Sequence, residues 1–182
     1  MGRVQVALMK ERRSLSNETI QAAQAGDRSA QSELIRESQD DLYRFCFYLC
    51  GDPVLAQDLT QETFVRVLEK LSRLEDPGSF KSFLLRAAKN LFLDHIKSHK
   101  NAPTVDLNEI SDKLSLEGDD PGLVLQVREA LLALNPDERI ILLLVDLEKH
   151  SYAEAAKILG LSEDVVTTRV FRARQSFQKK FN

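Results

Sequence analysis

The chain closes with SYAEAAKILGLSEDVVTTRVFRARQSFQKKFN, residues 151–182, and this stretch decides the fold of its C-terminal part. The pattern predicts a short helix, a turn at Gly160 and a longer helix capped by Ser162. A helix-turn-helix needs a small residue where the helices cross, a glycine in the turn and an apolar residue that holds the second helix. Ala156, Gly160 and Val166 meet these needs. Three further apolar residues are predicted to complete the core: Leu159, Leu161 and Val170.

The second predicted helix is basic, although the 182-residue chain has a formal net charge of −3. From position 169 onward it contains no acid and these basic residues: Arg169, Arg172, Arg174, Lys179 and Lys180. Such a helix can lie in a DNA groove and neutralise phosphates, with release of counterions. A plain helical hairpin would not need this surface, so the motif favours DNA binding.

The negative charge of the chain lies mainly in one segment. Residues 104–122 carry one lysine against six acidic residues, and proline and glycine interrupt them. This composition predicts a flexible acidic linker over 101–122. The linker separates a helical domain at 16–100 from a helix-turn-helix domain at 123–182, and residues 1–15 form a basic N-terminal extension.

Both parts beside the linker are predicted to be helical throughout. Apolar residues recur at helical spacing, and no segment shows the alternation of a strand. The predicted boundaries include a polar cap at Asn17, a helix end at Gly51, a helix start at Pro53 and a break at 135–136. The fold class is therefore all-α, with two small helical domains.

Composition and motifs exclude several classes of function. No apolar run approaches a membrane span, and no signal peptide pattern is present, which predicts a soluble, cytoplasmic protein. Cys46 and Cys50 lack the CxxC spacing and read as small buried residues in a reduced compartment. His95 and His99 have no third ligand nearby in sequence, so no metal is expected. Without a phosphate loop or a catalytic triad, the sequence predicts a protein that is not an enzyme and has no cofactor.

The first domain carries AQDLTQETFVRVLEKLSRLEDPGSFKSFLLRAAKNLFLDHIKSHK at 56–100, preceded by QAGDRSAQSELIRESQDDLYRF at 24–45. Within it, DLxQExF is followed by SFxxxLxRxAxNxxxD, and LxxLxPDER and SYAEAAKILGLS come later in the same order. With these motifs the chain resembles the extracytoplasmic-function group of bacterial RNA polymerase sigma factors, from about residue 18 to 181.

The resemblance implies a docking surface for core RNA polymerase. In that group the DLTQETF helix docks on the clamp coiled coil of the large polymerase subunit. The residues assigned to this contact are Asp58, Gln61, Glu62, Phe64 and Val65. From the sequence alone, Asp58 and Glu62 share one helix face and would be read as a solvated surface.

The resemblance also implies that the following helix and the turn LEDPGSF before it meet the minus-ten promoter element and hold one strand open. The residues assigned to this role are Ser79, Phe80, Lys81, Phe83, Arg86, Lys89, Asn90, Lys97 and Lys100. Amides such as that of Asn90 suit hydrogen bonds to base edges. Phe83 departs from the group, in which tryptophan is common at this position.

The closing helix is assigned to the minus-thirty-five element by the same resemblance. The residues expected there are Ser162, Glu163, Asp164, Thr167, Thr168, Arg169, Arg172 and Arg174. The sequence departs from the usual pattern at Lys149 and His150, where the group has glycine and an apolar residue, and at Thr167, where lysine is familiar. Glu163 and Asp164 favour the helix dipole but repel phosphate.

The resemblance therefore implies a sigma factor that binds core RNA polymerase, directs it to promoters and helps to melt the minus-ten element. Its partners would be the polymerase and promoter DNA, with an anti-sigma factor left open. One alternative is a dimeric helix-turn-helix regulator, which leaves DLTQETF without a purpose. A second is a sigma-like decoy that binds only an anti-sigma factor, suggested by Glu163 and Asp164.

Overall fold

The computed structural model describes residues 15–98 and 121–181. Every regular element within these ranges is a helix, and the helices form two compact units. Residues 15–50 and 54–98 belong to the first unit, and residues 121–181 belong to the second. The predicted all-α fold with two helical domains is confirmed. The predicted acidic linker and basic N-terminal extension lie almost wholly outside the described residues.

The first unit contains four α-helices and two short 3₁₀ turns. The helices are α1 (Asn17–Gln24), α2 (Arg28–Cys50), α3 (Pro53–Lys70) and α4 (Phe80–Ser98), and the 3₁₀ turns are Leu71–Arg73 and Pro77–Ser79. Helix α2 packs against α1 and α4. Leu34, Phe45 and Leu49 on α2 are fully buried, so this long helix forms the centre of the unit's core.

The ends of these helices follow the local sequence with one correction. Ser16, not Asn17, caps α1: its backbone is extended, and its Oγ accepts a hydrogen bond from Thr19 N at 3.1 Å. An N-cap residue must be non-helical, whereas Asn17 is already in the helix. Gly51 follows the end of α2 with φ of +76°, a conformation that glycine adopts without strain. Pro53 is the first residue of α3, as predicted.

The turn between α3 and α4 is fastened to α1 by one side chain. Gln24 Nε2 donates to Leu71 O at 3.1 Å and to Leu74 O at 2.6 Å. These carbonyls follow the end of α3, where the helix leaves acceptors unsatisfied. The amide of Gln24 therefore holds the start of the segment that leads to Pro77–Ser79 and α4.

The second unit contains four helices and one π-helical turn. The helices are α5 (Pro121–Leu132), α6 (Pro136–Leu142), α7 (Tyr152–Leu159) and α8 (Glu163–Phe181), and the π turn Leu143–Leu147 continues α6. Helix α8 packs against α5, α6 and α7. Ile140, Leu144, Ile158 and Val166 are almost completely buried, which places the core of this unit between α8 and its neighbours.

The helix-turn-helix forms between α7 and α8. Gly160 adopts φ of +70° and ψ of +37° at the end of α7, the left-handed conformation expected for this glycine. Ala156, Val166 and Val170 are buried, as predicted. The core was also predicted to include Leu159 and Leu161, but both lie beside the turn and are only half-buried.

A capping box fixes the start of α7. Glu154 N donates to Ser151 Oγ, and Ser151 N donates to Glu154 Oε2 at 2.8 Å. The hydroxyl of Ser151 also donates to the same carboxylate at 2.7 Å, and these bonds hold the pKa of Glu154 below its usual value. The reciprocal bonds satisfy two backbone donors and define where the helix-turn-helix begins.

A buried arginine closes the end of α5. The guanidinium of Arg139, on α6, donates from Nε to Leu131 O at 3.0 Å and from Nη2 to Leu132 O at 2.8 Å and Leu134 O at 3.1 Å. These carbonyls belong to the last residues of α5 and the turn after it, where intrahelical donors are missing. A cation at a helix C-terminus is also favoured by the helix dipole.

The two cysteines are free thiols. Cys46 is buried and Cys50 is half-buried on α2. Burial raises the pKa of the Cys46 thiol to about 12, so it stays protonated at neutral pH and behaves as a small apolar residue.

Candidate protein and nucleic-acid interfaces

Helix α3 presents a stripe of exposed side chains that is acidic and polar in the middle and apolar at both ends. Asp58 and Gln61 are exposed, and they lie between Val54, 68% exposed, and Val65, 56% exposed. Their spacing of four, three and four residues places these four side chains on one helix face. We call this set the α3 stripe. Val54 was missed by the sequence prediction, although it lies one helical turn before Asp58.

Glu62 lies beside the α3 stripe and forms an ion pair within its own helix. Arg66 Nη2 is 2.6 Å from Glu62 Oε1, and both side chains are about half exposed. An exposed pair at this spacing contributes only about 0.3–0.5 kcal/mol to stability. A partner can therefore take up either charge at small cost to the fold.

Phe64 requires a correction to the predicted protein contact. Its side chain is only 7% exposed, and it shares the inner face of α3 with Thr60 and Val67, which are also buried. Phe64 therefore seats α3 on its own unit, whereas its neighbour Val65 is exposed.

The turn before α4 is a compact, capped structure. Asp76 Oδ1 accepts from Gly78 N at 2.9 Å, and Ser79 Oγ donates to Asp76 O at 2.7 Å. Phe80, which the sequence assigned to a DNA contact, is only 3% exposed and anchors the start of α4. Ser79 remains half-buried at the surface of this turn.

Helix α4 carries basic and amide side chains on an outer face. Arg86, Asn90 and Lys97 are exposed, and their spacing of four and seven residues places them on one side of the helix. Lys81, Phe83 and Lys89 are half-buried. Lys100, which the sequence also assigned to this surface, lies outside the described residues.

The first turns of α8 present hydrogen-bond acceptors to solvent. Ser162, Glu163 and Asp164 are exposed where the helix begins. Thr167 Oγ1 donates to Glu163 O and Thr168 Oγ1 donates to Asp164 O, each at 3.0 Å. Both hydroxyl protons are thus directed into the helix, and the oxygen lone pairs remain available to the outside.

Four cations on α8 extend into solvent. In the part of the chain that the structure describes, no ion pair involves Arg169, Arg172, Lys179 or Lys180, and all four side chains are exposed. Phe171 lies among them and is 64% exposed. The sequence prediction missed Phe171. The sequence does indicate it, because Phe171 is apolar but does not fall at the helical spacing of the buried residues Val166, Val170 and Ala173.

Arg174 requires a correction to the predicted DNA contact. Its guanidinium is bound to Asp146 in the π turn, with Nη2 at 2.6 Å from Oδ1 and Nε at 3.2 Å from Oδ2. The charge is therefore neutralised within the second unit, and the basic surface of α8 consists of the other four cations.

The unusual residues before α7 lie in the turn that leads into the helix-turn-helix. Lys149 has φ of +59°, a left-handed conformation that costs a residue with a side chain about 1–2 kcal/mol and glycine almost nothing. His150 is buried, with Nδ1 3.8 Å from Glu154 Oε2. The substitutions therefore change the entry to α7.

Comparisons with known proteins agree with this geometry. Residues 34–102 match sigma-70 region 2, and residues 125–177 match sigma-70 region 4. The ECF RNA polymerase sigma factor SigC of Mycobacterium tuberculosis (strain CDC 1551 / Oshkosh) is 32% identical over 159 residues, which cover 85% of each chain. The chain belongs to the extracytoplasmic-function (ECF) group of RNA polymerase sigma factors.

Two further matches show how much of this sigma factor and of its relatives is similar. The ECF RNA polymerase sigma factor SigE of Mycolicibacterium smegmatis is 33% identical over 163 residues, which cover 84% of this chain. The chain spans 63% of SigE, less than two thirds of its length. The solved sigma factor RpoE of Bartonella quintana, in complex with the anti-sigma factor NepR, has the same fold with a TM-score of 0.71, 22% identity and coverage of 82% and 94%.

The family assignment gives the class of protein. Sigma factors are transcription initiation factors and not a class of enzymes. Across residues 15–98 and 121–181, no helix of this sigma factor is long and apolar enough to cross a membrane. Within the same ranges, no group of three or more His, Cys, Asp or Glu side chains is placed to hold a metal ion.

Proposed function

We propose that this sigma factor binds core RNA polymerase in the cytoplasm, directs it to specific promoters and helps to open the minus-ten element. The observation that carries the proposal is the presence in one chain of both a region 2 unit with an outward α3 stripe and a region 4 helix-turn-helix. A conventional dimeric regulator would use only the second. Reconstitution with core polymerase on a promoter library tests the proposal.

The two units would divide this work. Residues 16–100 contact the polymerase clamp and the minus-ten element, residues 123–182 contact the minus-thirty-five element, and residues 101–122 tether them. Two modest contacts that are joined through polymerase gain effective concentration without tight binding by either one. The free chain is therefore a poor DNA binder. An anti-sigma factor, which the sequence left open, is proposed as a further partner on the example of RpoE, which was solved in complex with NepR.

The α3 stripe is the surface proposed to dock on the polymerase clamp. Asp58 and Gln61 offer an acceptor and an amide at its centre, and Val54 and Val65 add apolar area that is otherwise exposed to water. Interfaces commonly combine an apolar contact with polar groups that fix orientation. Phe64 lies on the buried inner face of the same helix and holds α3 against its own unit.

Helix α4 is proposed to hold the separated strand of the minus-ten element. Arg86 and Lys97 would neutralise its phosphates, and Asn90 between them would bond to an unstacked base. The capped turn at Asp76–Ser79 offers a fixed surface for a flipped base, whose unstacking costs a few kcal/mol.

The role of Asn90 in melting leads to a first prediction. Asn90→Ala should reduce the formation of open complexes about tenfold, the equivalent of one lost hydrogen bond to a base, while initial binding to duplex promoter changes little. Permanganate footprinting of unpaired thymines measures the open state, and a gel shift on closed duplex measures the first step. Glu33→Ala, on the exposed surface of α2, is the control. Equal losses at both steps would contradict a specific role in melting.

Helix α8 leads to a second prediction, because its two ends are proposed to do different things. Phosphate contacts position a protein on DNA without reading sequence, and base contacts read it. Arg172→Ala should weaken binding to all minus-thirty-five sequences alike and reduce the salt slope by about one. Thr167→Ala, which removes no charge, should leave the slope unchanged and alter the preferred sequence, and Glu163→Gln should also alter the preferred sequence.

Binding of the reconstituted holoenzyme to a duplex library that is randomised over the minus-thirty-five region, measured at several salt concentrations, separates these effects. A shift in sequence preference with Arg172→Ala, or a reduced salt slope with Thr167→Ala, would contradict the proposed division of α8.

A further inference from the structure

A bidentate ion pair joins α8 to the segment that precedes the helix-turn-helix. Arg174 Nη2 donates to Asp146 Oδ1 at 2.6 Å, and Arg174 Nε donates to Asp146 Oδ2 at 3.2 Å. The two residues are 28 apart in sequence, and Asp146 lies in the π turn Leu143–Leu147. This pairing of a planar guanidinium with both carboxylate oxygens restricts orientation more than a point charge does.

The guanidinium of Arg174 also reaches a third element. Its Nη1 is 3.5 Å from the hydroxyl oxygen of Tyr152, the first residue of α7. Arg174 therefore spans α8, the π turn and the start of α7. Two residues further along α8, Ser176 Oγ donates to Glu138 Oε1 at 2.9 Å and ties α8 to α6. These bonds lie beyond the apolar contacts of Val166 and Val170, towards the C-terminal half of α8.

Arg174 differs in this respect from the other cations of α8. Arg169 and Arg172 are exposed, whereas Arg174 is half-buried and already paired. The hydrogen bond to Asp146 raises the pKa of Arg174 further above its usual value. To contact a phosphate, Arg174 would have to leave Asp146. Its binding would then release fewer condensed counterions from the DNA than the binding of an unpaired arginine. Its geometry favours an internal role.

We infer that Arg174 is a positioning residue: its pair with Asp146 sets the angle of α8 against α7, and thereby which bases the first turns of α8 meet, without itself contacting DNA. The inference rests on the proposed minus-thirty-five role of α8. Asp146 belongs to the same device, because it supplies the fixed carboxylate that holds the guanidinium away from the DNA backbone.

The test uses the full chain reconstituted with core RNA polymerase and a duplex promoter library randomised over the minus-thirty-five region. Two quantities are measured: discrimination between the best and a scrambled minus-thirty-five sequence, and the salt slope of binding. With Arg174→Ala, discrimination should fall about tenfold, a loss comparable to the cost of one mismatched base pair in the site. The salt slope should stay unchanged. Arg172→Ala is the matched control, with the slope reduced by about one and discrimination retained.

A charge swap separates positioning from a general loss of stability. Arg174→Asp alone should lose discrimination, and Arg174→Asp combined with Asp146→Arg should regain at least part of it. All variants are measured at a temperature at which circular dichroism shows them folded. A purely structural role would lower the melting temperature and leave discrimination by the folded protein unchanged.

Three results would overturn the inference: a salt slope lowered by about one with Arg174→Ala, unchanged discrimination in that variant, or no recovery in the charge swap. If the unsubstituted chain forms no holoenzyme or shows no minus-thirty-five preference, the proposed function fails as well. If it discriminates normally and only the Arg174 variants behave otherwise, the positioning role alone is wrong.

Discussion

Arg139→Ala is expected to destabilise the second unit by about 3 kcal/mol, a large part of the stability of a domain of this size. The guanidinium is buried and donates to the carbonyls of Leu131, Leu132 and Leu134. Alanine would leave these acceptors without their donor and would also create a cavity. Thermal denaturation followed by circular dichroism should show an earlier transition for this unit.

Two controls define the cause of this loss. Arg139→Lys keeps the positive charge but not the planar fork of donors, so it should recover only part of the stability. Arg169→Ala removes an exposed arginine from α8 and should change stability by less than about 0.5 kcal/mol. A similar melting temperature for Arg139→Ala and Arg169→Ala would contradict the proposed closing role of Arg139.

The second large effect is expected at the α3 stripe. Asp58→Ala combined with Val65→Asp should lower the affinity for core RNA polymerase by about thirtyfold, the equivalent of about 2 kcal/mol for an interface hot spot. The first change removes a central acceptor, and the second places a charge on exposed apolar surface that the partner would cover. Both side chains point to solvent, so the first unit should remain folded.

Fluorescence anisotropy of the labelled chain titrated with core polymerase measures this affinity. Glu33→Ala, a change of an exposed acid on α2, serves as the control and should bind normally. Glu62→Ala alone is less informative, because it also releases Arg66 from its ion pair. Unchanged affinity in the Asp58 and Val65 double variant would count against the α3 stripe as the docking surface.

Local sequence signals were enough to predict the helices and the helix-turn-helix. Pro53 starts α3, Gly51 follows α2, and Gly160 adopts the left-handed turn conformation, because each residue acts through its own backbone. The shift of the α1 cap from Asn17 to Ser16 shows the limit of this reasoning. Two adjacent polar residues can both act as a cap, and the backbone geometry selects one of them.

The errors at the candidate sites have a different origin. A family motif records which residue types occur together, not which side of a helix each one occupies. Phe64 and Phe80 belong to the motifs but lie on the inner faces of α3 and α4. Helical spacing contained this information, since Phe64 follows Thr60 by four residues and precedes Val67 by three, and all three are buried.

Helical spacing alone could not have shown that Arg174 differs from the other arginines of α8. Its partner Asp146 is 28 residues earlier, in the π turn Leu143–Leu147. Only the packing of α8 against the preceding helices brings the two charges together. The count of available cations on α8 therefore depends on tertiary structure.

The central claim is that this chain acts through RNA polymerase, and transcription by the reconstituted enzyme tests it most directly. The purified chain is mixed with core RNA polymerase and a promoter library, and transcript starts are sequenced, with the free chain assayed for DNA binding in parallel. We expect starts downstream of a shared pair of minus-thirty-five and minus-ten sequences, and weak DNA binding by the free chain. Tight, sequence-specific binding of a palindrome by the free chain as a dimer, with no polymerase-dependent starts, would contradict the account.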